Sequence, residues 1–263
     1  TPYIINSTAY GGAAGDKKKK KVNEGNGVGI IVKDRIATNY GNVGFNAIDL
    51  SRSTSVSSAV GATGADSFAV GINVTASSGD SIAMGGGFNE SVSAKATGNG
   101  SIALGRGARA SGLGAVAIGG DSAQQTISSG SNSLALKGGE ATGSGTVAIS
   151  CGGTARSSGN FSLVIGSGES SGQSAFSIGI SNVSKSYQET VLGSFNNSTD
   201  TPLSTTTWNP LDKLLSVGNG TNGANLSDAL VILKNGLVTL PSVTNALITS
   251  ASGKAIVTKE YLE

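Results

Sequence analysis

The chain has 263 residues, of which 41 are glycine, with 5% aromatic residues, 13% charged residues and a formal net charge of +2. This composition lacks both the large side chains of an ordinary globular core and the high charge of a disordered chain. Histidine is absent from the sequence, which excludes Ser-His-Asp and Cys-His catalysis and any histidine-ligated metal. The small net charge also argues against a nucleic-acid partner.

Residues 1–56 are predicted to form an N-terminal cap or attachment region. Val28 to Ile31 and Arg35 to Thr38 are strand-like and are joined by Lys33-Asp34, which predicts a hairpin or a cap. A stack of strands needs a cap because its open end is an unpaired edge. The run DKKKKK, Asp16 to Lys21, is interpreted as a solvated loop, and the alternative is a grip on the phosphates of a lipopolysaccharide or nucleic acid.

A five-residue phrase recurs through residues 57–193. It reads SIALG from Ser101 and AVAIG from Ala115, and most copies follow a Ser-Gly or Thr-Gly pair. A period of about 14 residues is too short for a helix pair or a propeller blade, so it predicts one coil of a β-solenoid, with two short strands and two tight turns. The copies begin at Ser67, Ser81, Ser101, Ala115, Ser133, Thr146, Ser162, Ala175 and Glu189.

Side chains alternate along each copy, so its second and fourth residues share one face of the strand. These residues are aliphatic and are predicted to stack as the repeat core. The opposite face, of Ser, Ala and Gly, is predicted to present a smooth surface to copies of the same chain, which favours an oligomer about a long axis. The predicted core residues are Ile82, Met84, Ile102, Leu104, Val116, Ile118, Leu134, Leu136, Val147, Ile149, Leu163 and Ile165.

The Ser/Thr-Gly pair followed by Ser-Ile-Ala-Leu-Gly resembles the head repeat of YadA-like trimeric autotransporter adhesins, which phage tail fibres also use. The resemblance covers about Ser57 to Gly193 and implies an all-β fold, a left-handed parallel β-roll (β-solenoid) assembled as a homotrimer. Lys137 and Ser150 replace the closing glycine, and Val183 to Glu189 lacks the Ser/Thr-Gly pair. Irregular turns are predicted at these places.

Residues 194–213 are predicted to be a linker. Thr201 to Leu211 breaks the repeat and holds the single Trp and two of the four prolines. Phrases on both flanks, from Gly44 to Gly64 and from Leu214 to Leu262, resemble fibre proteins from phages of Bacteroidetes. No secretion signal, sustained heptad repeat or membrane-length apolar stretch is visible, which favours a fibre over an anchored adhesin.

Residues 214–263 are predicted to form a β-hairpin region. Ala229 to Lys234 and Leu237 to Leu240 flank an Asn-Gly pair, a strong local signal for a hairpin. A second strand pair is predicted at Ala246 to Thr249 and Ala255 to Lys259.

Candidate surface-binding residues lie in the turns and in two long coils. Basic side chains in the turns could form a stripe that touches anionic surface polymers, and loops carry function more often than scaffolds do. The alternative is that these charges only keep the protein soluble. The candidates are Phe88, Asn89, Lys95, Arg106, Arg109, Gln124, Gln125 and Arg156.

No catalytic, cofactor-binding or metal-binding residue is predicted. Cys151 cannot form an intrachain disulfide because it is the single cysteine, and it follows a strand where a small buried residue is expected. Carboxylate pairs such as Asp66 with Asp80, or Glu140 with Glu169, could hydrolyse a polysaccharide. Nothing in their spacing requires them to meet.

The sequence therefore predicts a non-enzymatic, structural protein: a trimeric fibre of a phage or phage-tail-like particle that presents loops or a tip to a host surface. The alternative is a bacterial surface adhesin that binds matrix or another cell-surface ligand, and a glycan-degrading fibre enzyme is disfavoured. Expected partners are further copies of the chain, other fibre, baseplate or capsid proteins, and a host glycan or protein. No cofactor, nucleic acid or membrane insertion is expected. The expected location is the virion or an extracellular particle, or the bacterial cell surface for the alternative.

Overall fold

The computed structural model describes residues 19–121 and 123–251. The chain divides into two compact units, Thr1–Ile149 and Ser150–Glu263, which are taken in turn below. Regular structure in the described residues is almost entirely β, so the all-β prediction is confirmed.

The first unit begins with an antiparallel hairpin and continues as short strands that alternate between two parallel ladders. Two 3₁₀ helices, Ala37–Asn39 and Glu90–Val92, lie between strands. The strands are β1 (Lys19–Asn23), β2 (Val28–Val32), β3 (Ile48–Arg52), β4 (Gly61–Ala62), β5 (Phe68–Ile72), β6 (Thr75–Ala76), β7 (Ile82–Met84), β8 (Lys95–Ala96), β9 (Ile102–Leu104), β10 (Ala108–Ala110), β11 (Val116–Ile118), β12 (Thr126–Ser128), β13 (Leu134–Leu136), β14 (Glu140–Ala141) and the first three residues of β15 (Val147–Ser157), the rest of which belongs to the second unit.

Each coil of the first unit contributes one strand to each ladder. Strands β3, β5, β7, β9, β11, β13 and the start of β15 pair in parallel and in register, so that Ile82 lies beside Ile102 and Ile102 beside Val116. Strands β4, β6, β8, β10, β12 and β14 form the second parallel ladder. The predicted β-solenoid is therefore confirmed.

The interior of the coils is built from the small residues, so the predicted orientation of the repeat is wrong. In β9, Ala103 is fully buried, whereas Ile102 and Leu104 are half-buried, and Ile118 of the next coil is 39% exposed. A coil only two short strands wide leaves little room for leucine or isoleucine, so mainly alanine and serine, with some valine and threonine, fill it and the larger aliphatic residues of the repeat face outward.

We call these outward aliphatic residues of the first unit the first-strand row. The row comprises Ile82, Met84, Ile102, Leu104, Val116, Ile118, Leu134, Leu136, Val147 and Ile149, all predicted as core. Leu163 and Ile165 of the second unit, also predicted as core, are likewise half-buried and flank the fully buried Val164.

Interior serines and threonines satisfy their hydroxyl groups locally. Ser81 Oγ donates to Ser78 O at 2.6 Å, and Ser133 Oγ donates to Gly130 O at 2.6 Å. Thr146 Oγ1 makes the same bond to Gly143 O at 2.8 Å. Because a buried hydroxyl needs a partner, this bond to the residue three positions back explains why Ser or Thr can open so many copies of the phrase.

The Ser/Thr-Gly pair marks a close approach between successive coils. A Cβ atom on Gly98 would lie 2.0 Å from the carbonyl oxygen of Gly112, so no larger residue fits. The residue two positions after this glycine takes the left-handed conformation, as at Gly100 (φ 63°) and Asn132 (φ 54°). Both glycine positions therefore follow from the turn.

The N-terminal hairpin differs from the prediction. Strand β2 pairs antiparallel with β1 and parallel with β3, so it caps the stack, but the strand predicted over Arg35 to Thr38 is wrong. The buried Arg35 guanidinium lies 2.7 Å from Glu24 and 2.5 Å from Asp49, and these ion pairs draw the segment out of strand geometry. Lys19 to Lys21 belong to β1 and not to a loop, and Asp16 to Lys18 lie outside the described residues.

The second unit contains a stack of parallel strands, and its last strands pair antiparallel. Its strands are β16 (Leu163–Ser170), β17 (Phe176–Ser184), β18 (Thr190–Ser194), β19 (Lys213–Asn219), β20 (Asp228–Leu233) and β21 (Val238–Thr239). The parallel pairing runs from β16 to β19, past the predicted end of the repeat at residue 193. Ser150 lies inside β15, so the irregular turn predicted there is wrong.

The predicted C-terminal hairpin is confirmed by the antiparallel pairing of β20 with β21 around Asn235-Gly236. The strand predicted at Ala246 to Thr249 is wrong, because Asn245–Ser250 form helix α1. Thr244 caps this helix by accepting a hydrogen bond from the Leu247 amide, which favours helix over strand. The strand predicted at Ala255 to Lys259 lies outside the described residues.

Candidate functional site

Two long coils of the first unit lie on either side of a regular coil. The coil from Ser81 takes 20 residues, against 14 for the coil from Ser101, and the extra residues form a loop that includes the 3₁₀ helix Glu90–Val92. Asn89 caps that helix: its Oδ1 accepts from Ser91 N at 3.0 Å and from Ser91 Oγ at 2.5 Å. The loop is therefore held in a defined shape.

The second long coil carries its extra residues at the equivalent place. Asp121 Oδ1 accepts hydrogen bonds from Ala123 N at 2.7 Å and Gln124 N at 2.8 Å. These backbone hydrogen bonds, with a smaller contribution from the charge of Arg106, hold the pKa of Asp121 below its usual value. The carboxylate thus stays ionised and closes its own loop.

The two loops meet over the coil between them. The carbonyl oxygen of Ser91 accepts from Arg109 Nη2 at 2.7 Å and from Gln125 Nε2 at 3.1 Å, although Gln125 is 34 residues away in sequence. The Arg106 guanidinium lies 6.0 Å from the centroid of the Phe88 ring, and Phe88 is 86% exposed. Three successive coils therefore contribute to one surface.

We call this the loop surface. Its members are Phe88, Asn89, Ser91, Lys95, Arg106, Arg109 and Gln125. Lys95 belongs to it because it pairs in register with Arg109, on strands β8 and β10. Gln124 packs its side chain against the backbone at Gly138.

The outward residues of the second ladder form a second row of the first unit, the second-strand row. Lys95, Arg109, Ile127 and Glu140 follow one another in register along this row. Each of these side chains is half-buried. This row is mostly polar, whereas the first-strand row is aliphatic.

Arg156 lies in the second unit and lines a different, open groove. Thr154, Ser167, Glu169 and Val183 line the same groove, whose volume is about 540 Å³. Of the residues predicted to form a basic stripe, Lys95, Arg106 and Arg109 lie in the first unit and Arg156 lies in the second. Cys151 is exposed rather than buried, because Ser150 takes the inward position next to it.

A charged cluster in the second unit was not anticipated from the sequence. Lys213 Nζ lies 2.9 Å from Asp200 and 3.3 Å from Asp228, and it donates to Asn197 O at 2.6 Å. The buried Asp212 carboxylate accepts from the Leu203 and Ser204 amides. These bonds hold the irregular segment 195–212 in place. The charged residues that flank the predicted linker were the signal in the sequence that could have indicated this cluster.

Burial and charge shift three pKa values in this cluster. Burial raises the pKa of Glu189, against the opposing effect of hydrogen bonds from the Ser186 and Lys185 amides. Burial lowers the pKa of Lys234, whose ammonium donates to Ser186 Oγ at 3.1 Å. For Lys213, burial is outweighed by the hydrogen bond to Asp200 and the charge of Asp228, so its pKa is raised.

Residues 96–122 match the YadA head domain repeat, in two copies. Comparison with curated proteins gives no match. Across residues 19–121 and 123–251, no helix has the length and apolar character to cross a membrane. Over the same residues, no group of three or more Cys, Asp or Glu side chains is placed to hold a metal ion. Arg106 and Arg109 of the loop surface lie within the matched stretch.

Proposed function

We propose that this chain forms a homotrimeric, adhesin-like surface fibre that works by presenting binding loops. The support is the combination of the match to the YadA head repeat at residues 96–122 with a scaffold that carries most of the candidate binding residues on its loops and outer strand faces. Three identical copies multiply the avidity of each loop without any new contact within the chain.

The observation that carries the trimer is the first-strand row. Its aliphatic side chains stand half-buried or exposed in a single chain, and they repeat in register from coil to coil, as Ile82, Ile102 and Val116 do. Burying such side chains against copies of the same row yields about 25 cal/mol for each Å² removed from water. We therefore assign the contact between copies to the aliphatic face, and not to the face of small residues that the sequence predicted.

The trimer is tested by measuring the mass of the full chain in solution by light scattering coupled to size exclusion. The expected mass is about three times the 25.8 kDa of one chain, independent of concentration in the micromolar range. A mass of one chain at all concentrations would contradict the proposal.

We further propose that the fibre belongs to a phage or phage-tail-like particle, with fibre, baseplate or capsid proteins as neighbours. The support is the resemblance of the flanking phrases to fibre proteins of Bacteroidetes phages. Immunogold electron microscopy with an antibody to residues 1–50 tests the location. Gold on particle appendages is expected, and gold spread over the bacterial envelope would instead favour the surface adhesin.

We propose that the fibre binds without catalysis. A chain that contains no histidine lacks the commonest general base, and the binding loops are built mainly from basic, amide and aromatic side chains. Incubation of the trimer with purified capsular polysaccharide is expected to release no reducing ends. Release that persists through purification and is lost on mutation of Asp66 or Asp80 would contradict this proposal.

A further inference from the structure

We propose that the loop surface binds a carboxylate-bearing polysaccharide, with the Phe88 ring against a sugar and the Arg106 guanidinium on the adjacent carboxylate. Arg109 and Lys95 extend the site to the next acidic unit of the polymer. This inference rests on the proposed function, because it names the class of ligand that the proposed fibre binds.

The aromatic part of the site is Phe88. Its ring is 86% exposed at the outside of a loop, where a phenylalanine contributes little to folding. An exposed aromatic ring beside polar groups is typical of a contact residue, since it offers a large rigid apolar face at low entropic cost. The apolar C–H face of a pyranose ring is a partner of matching size.

The charged part of the site begins with Arg106. Its guanidinium lies 6.0 Å from the Phe88 centroid, so a sugar stacked on the ring brings its carboxylate within reach. A planar guanidinium can bind a carboxylate through two parallel hydrogen bonds, which gives orientation as well as attraction. Phe88 and Arg106 together therefore select for an acidic sugar over a neutral one.

The second-strand row supplies further cationic side chains, which are separated by the distance between neighbouring strands. Lys95 and Arg109 lie in register on neighbouring strands, about 4.8 Å apart. The nearby carboxylate of Asp121 accepts hydrogen bonds from two amides of its own loop and also interacts with the charge of Arg106, so a ligand carboxylate shares this guanidinium with Asp121. Counting Glu90 and Asp121 against Lys95, Arg106 and Arg109 leaves one net positive charge, which favours an anionic polymer.

The site is held in shape before any ligand arrives. Ser93 Oγ donates to Asn89 O at 2.7 Å, and the Ser91 carbonyl is fixed by Arg109 and Gln125. Binding therefore costs little loop ordering. A protein partner is less well matched, because a protein interface needs a broad apolar core and Phe88 is the single large apolar member of the loop surface.

The test uses the full-length protein and immobilised acidic polysaccharides. The probes are alginate oligosaccharide and polysialic acid, with dextran of equal length as the neutral control, and binding is followed by biolayer interferometry at two salt concentrations. The variants are Phe88→Ala and Arg106→Gln. Arg52→Gln is the matched control, because Arg52 is an exposed arginine of the same unit outside the loop surface. Thermal melting and solution mass verify that each variant folds and assembles.

Wild-type protein is expected to bind at least one acidic probe, more weakly at higher salt, and to bind dextran at least tenfold less well. Phe88→Ala and Arg106→Gln are each expected to weaken binding by about tenfold or more, and Arg52→Gln by less than twofold.

Several outcomes would overturn the inference. Binding of neither acidic probe, or equal binding of dextran, rejects the ligand class. Binding that is unchanged in both loop variants rejects the site, and binding of an acidic protein in place of either polysaccharide replaces the partner. Each of these leaves the proposed trimer and particle location standing, because solution mass and immunogold labelling measure those independently.

Discussion

The two outward rows of the first unit share one interior and differ in most of the side chains that they show to solvent. Both ladders turn alanine and serine inward, as at Ala103 on β9 and Ala110 on β10. Outward, β9 shows Ile102 and Leu104, whereas β10 shows Arg109. The narrow coil therefore fixes only the inward residues, and the outward residues are free to serve different partners.

This contrast separates folding from recognition within a single coil. The first-strand row suits contact with identical copies, since its aliphatic side chains repeat in register. The second-strand row and the loops beside it are polar, and they suit solvent and an anionic ligand. Substitutions at inward positions should therefore affect stability, whereas substitutions at outward positions should affect assembly or binding.

The largest effect is expected inside the coil. Ala103→Leu would force a branched side chain into an interior where alanine is fully buried, and overpacking of this kind costs about 1–3 kcal/mol or more. We expect loss of the cooperative melting transition, or a melting temperature many degrees lower, by circular dichroism. Ile102→Leu is the control and should melt like wild type. Equal melting of the two variants would contradict the small interior.

The next effect concerns assembly. Ile102→Ser removes an aliphatic side chain from the first-strand row, at about 1.5–3 kcal/mol for each of three copies, and should shift the protein to single chains. Ile127→Ser, on the second-strand row, removes the same side chain from a position of similar burial and should leave the trimer intact. Sedimentation velocity measures both, and dissociation by Ile127→Ser alone would reverse the assignment of the rows.

A smaller effect is expected from the interior hydroxyl groups. Ser133 Oγ donates to Gly130 O at 2.6 Å and lies 2.7 Å from Ser128 Oγ, all within the buried interior. Ser133→Ala removes these bonds and should lower the free energy of unfolding by about 1 kcal/mol. The exposed Ser131→Ala should change it by less than half as much. Chemical denaturation distinguishes the two.

One turn of the second unit is expected to become more stable on substitution. Phe161 takes the left-handed conformation, at φ 59°, and is 62% exposed, whereas Gly100 and Asn132 hold this turn position in coils of the first unit. Phe161→Gly should raise the free energy of unfolding by about 1 kcal/mol, because a bulky residue is strained there. Phe161→Leu keeps the strain and should give no gain.

The smallest effect is a pH dependence at Glu189 in the second unit. Burial raises its pKa in the folded state, so this group favours folding below its unfolded pKa, and that contribution is lost as pH rises through the folded pKa. Glu189→Gln should therefore gain stability relative to wild type as pH rises from 4 to 7. Glu169→Gln, at an exposed position of the same unit, is the control variant. Melting curves across this pH range test it.

Much of the fold could be predicted from the sequence because the repeat acts locally. The repeat period predicted the length of one coil, and the Ser/Thr-Gly pair marked a tight contact between coils. The Asn235-Gly236 turn marked the C-terminal hairpin. The wrong strand predictions at Arg35 to Thr38 and Ala246 to Thr249 have specific causes. Arg35 is drawn to two carboxylates distant in sequence, and the Thr244 cap favours helix α1.

The candidate site could be predicted as a set of residues but not as a surface. Phe88, Arg106 and Gln125 were singled out because loops and basic turns carry function. Their meeting depends on the stacking of three coils, which brings Arg109 and Gln125 to the same Ser91 carbonyl. No local pattern encodes that contact, because its partners are 18 and 34 residues apart.

The sequence by itself determined that this protein is a stack of short β coils, since alternation, period and turn glycines are all local properties. Only the tertiary structure decided which face of each strand is the interior. Alternation separates Ala103 from Ile102 but does not say which of them faces inward. The distance between the two walls of the coil decides it, and that distance admits alanine and serine and turns isoleucine outward.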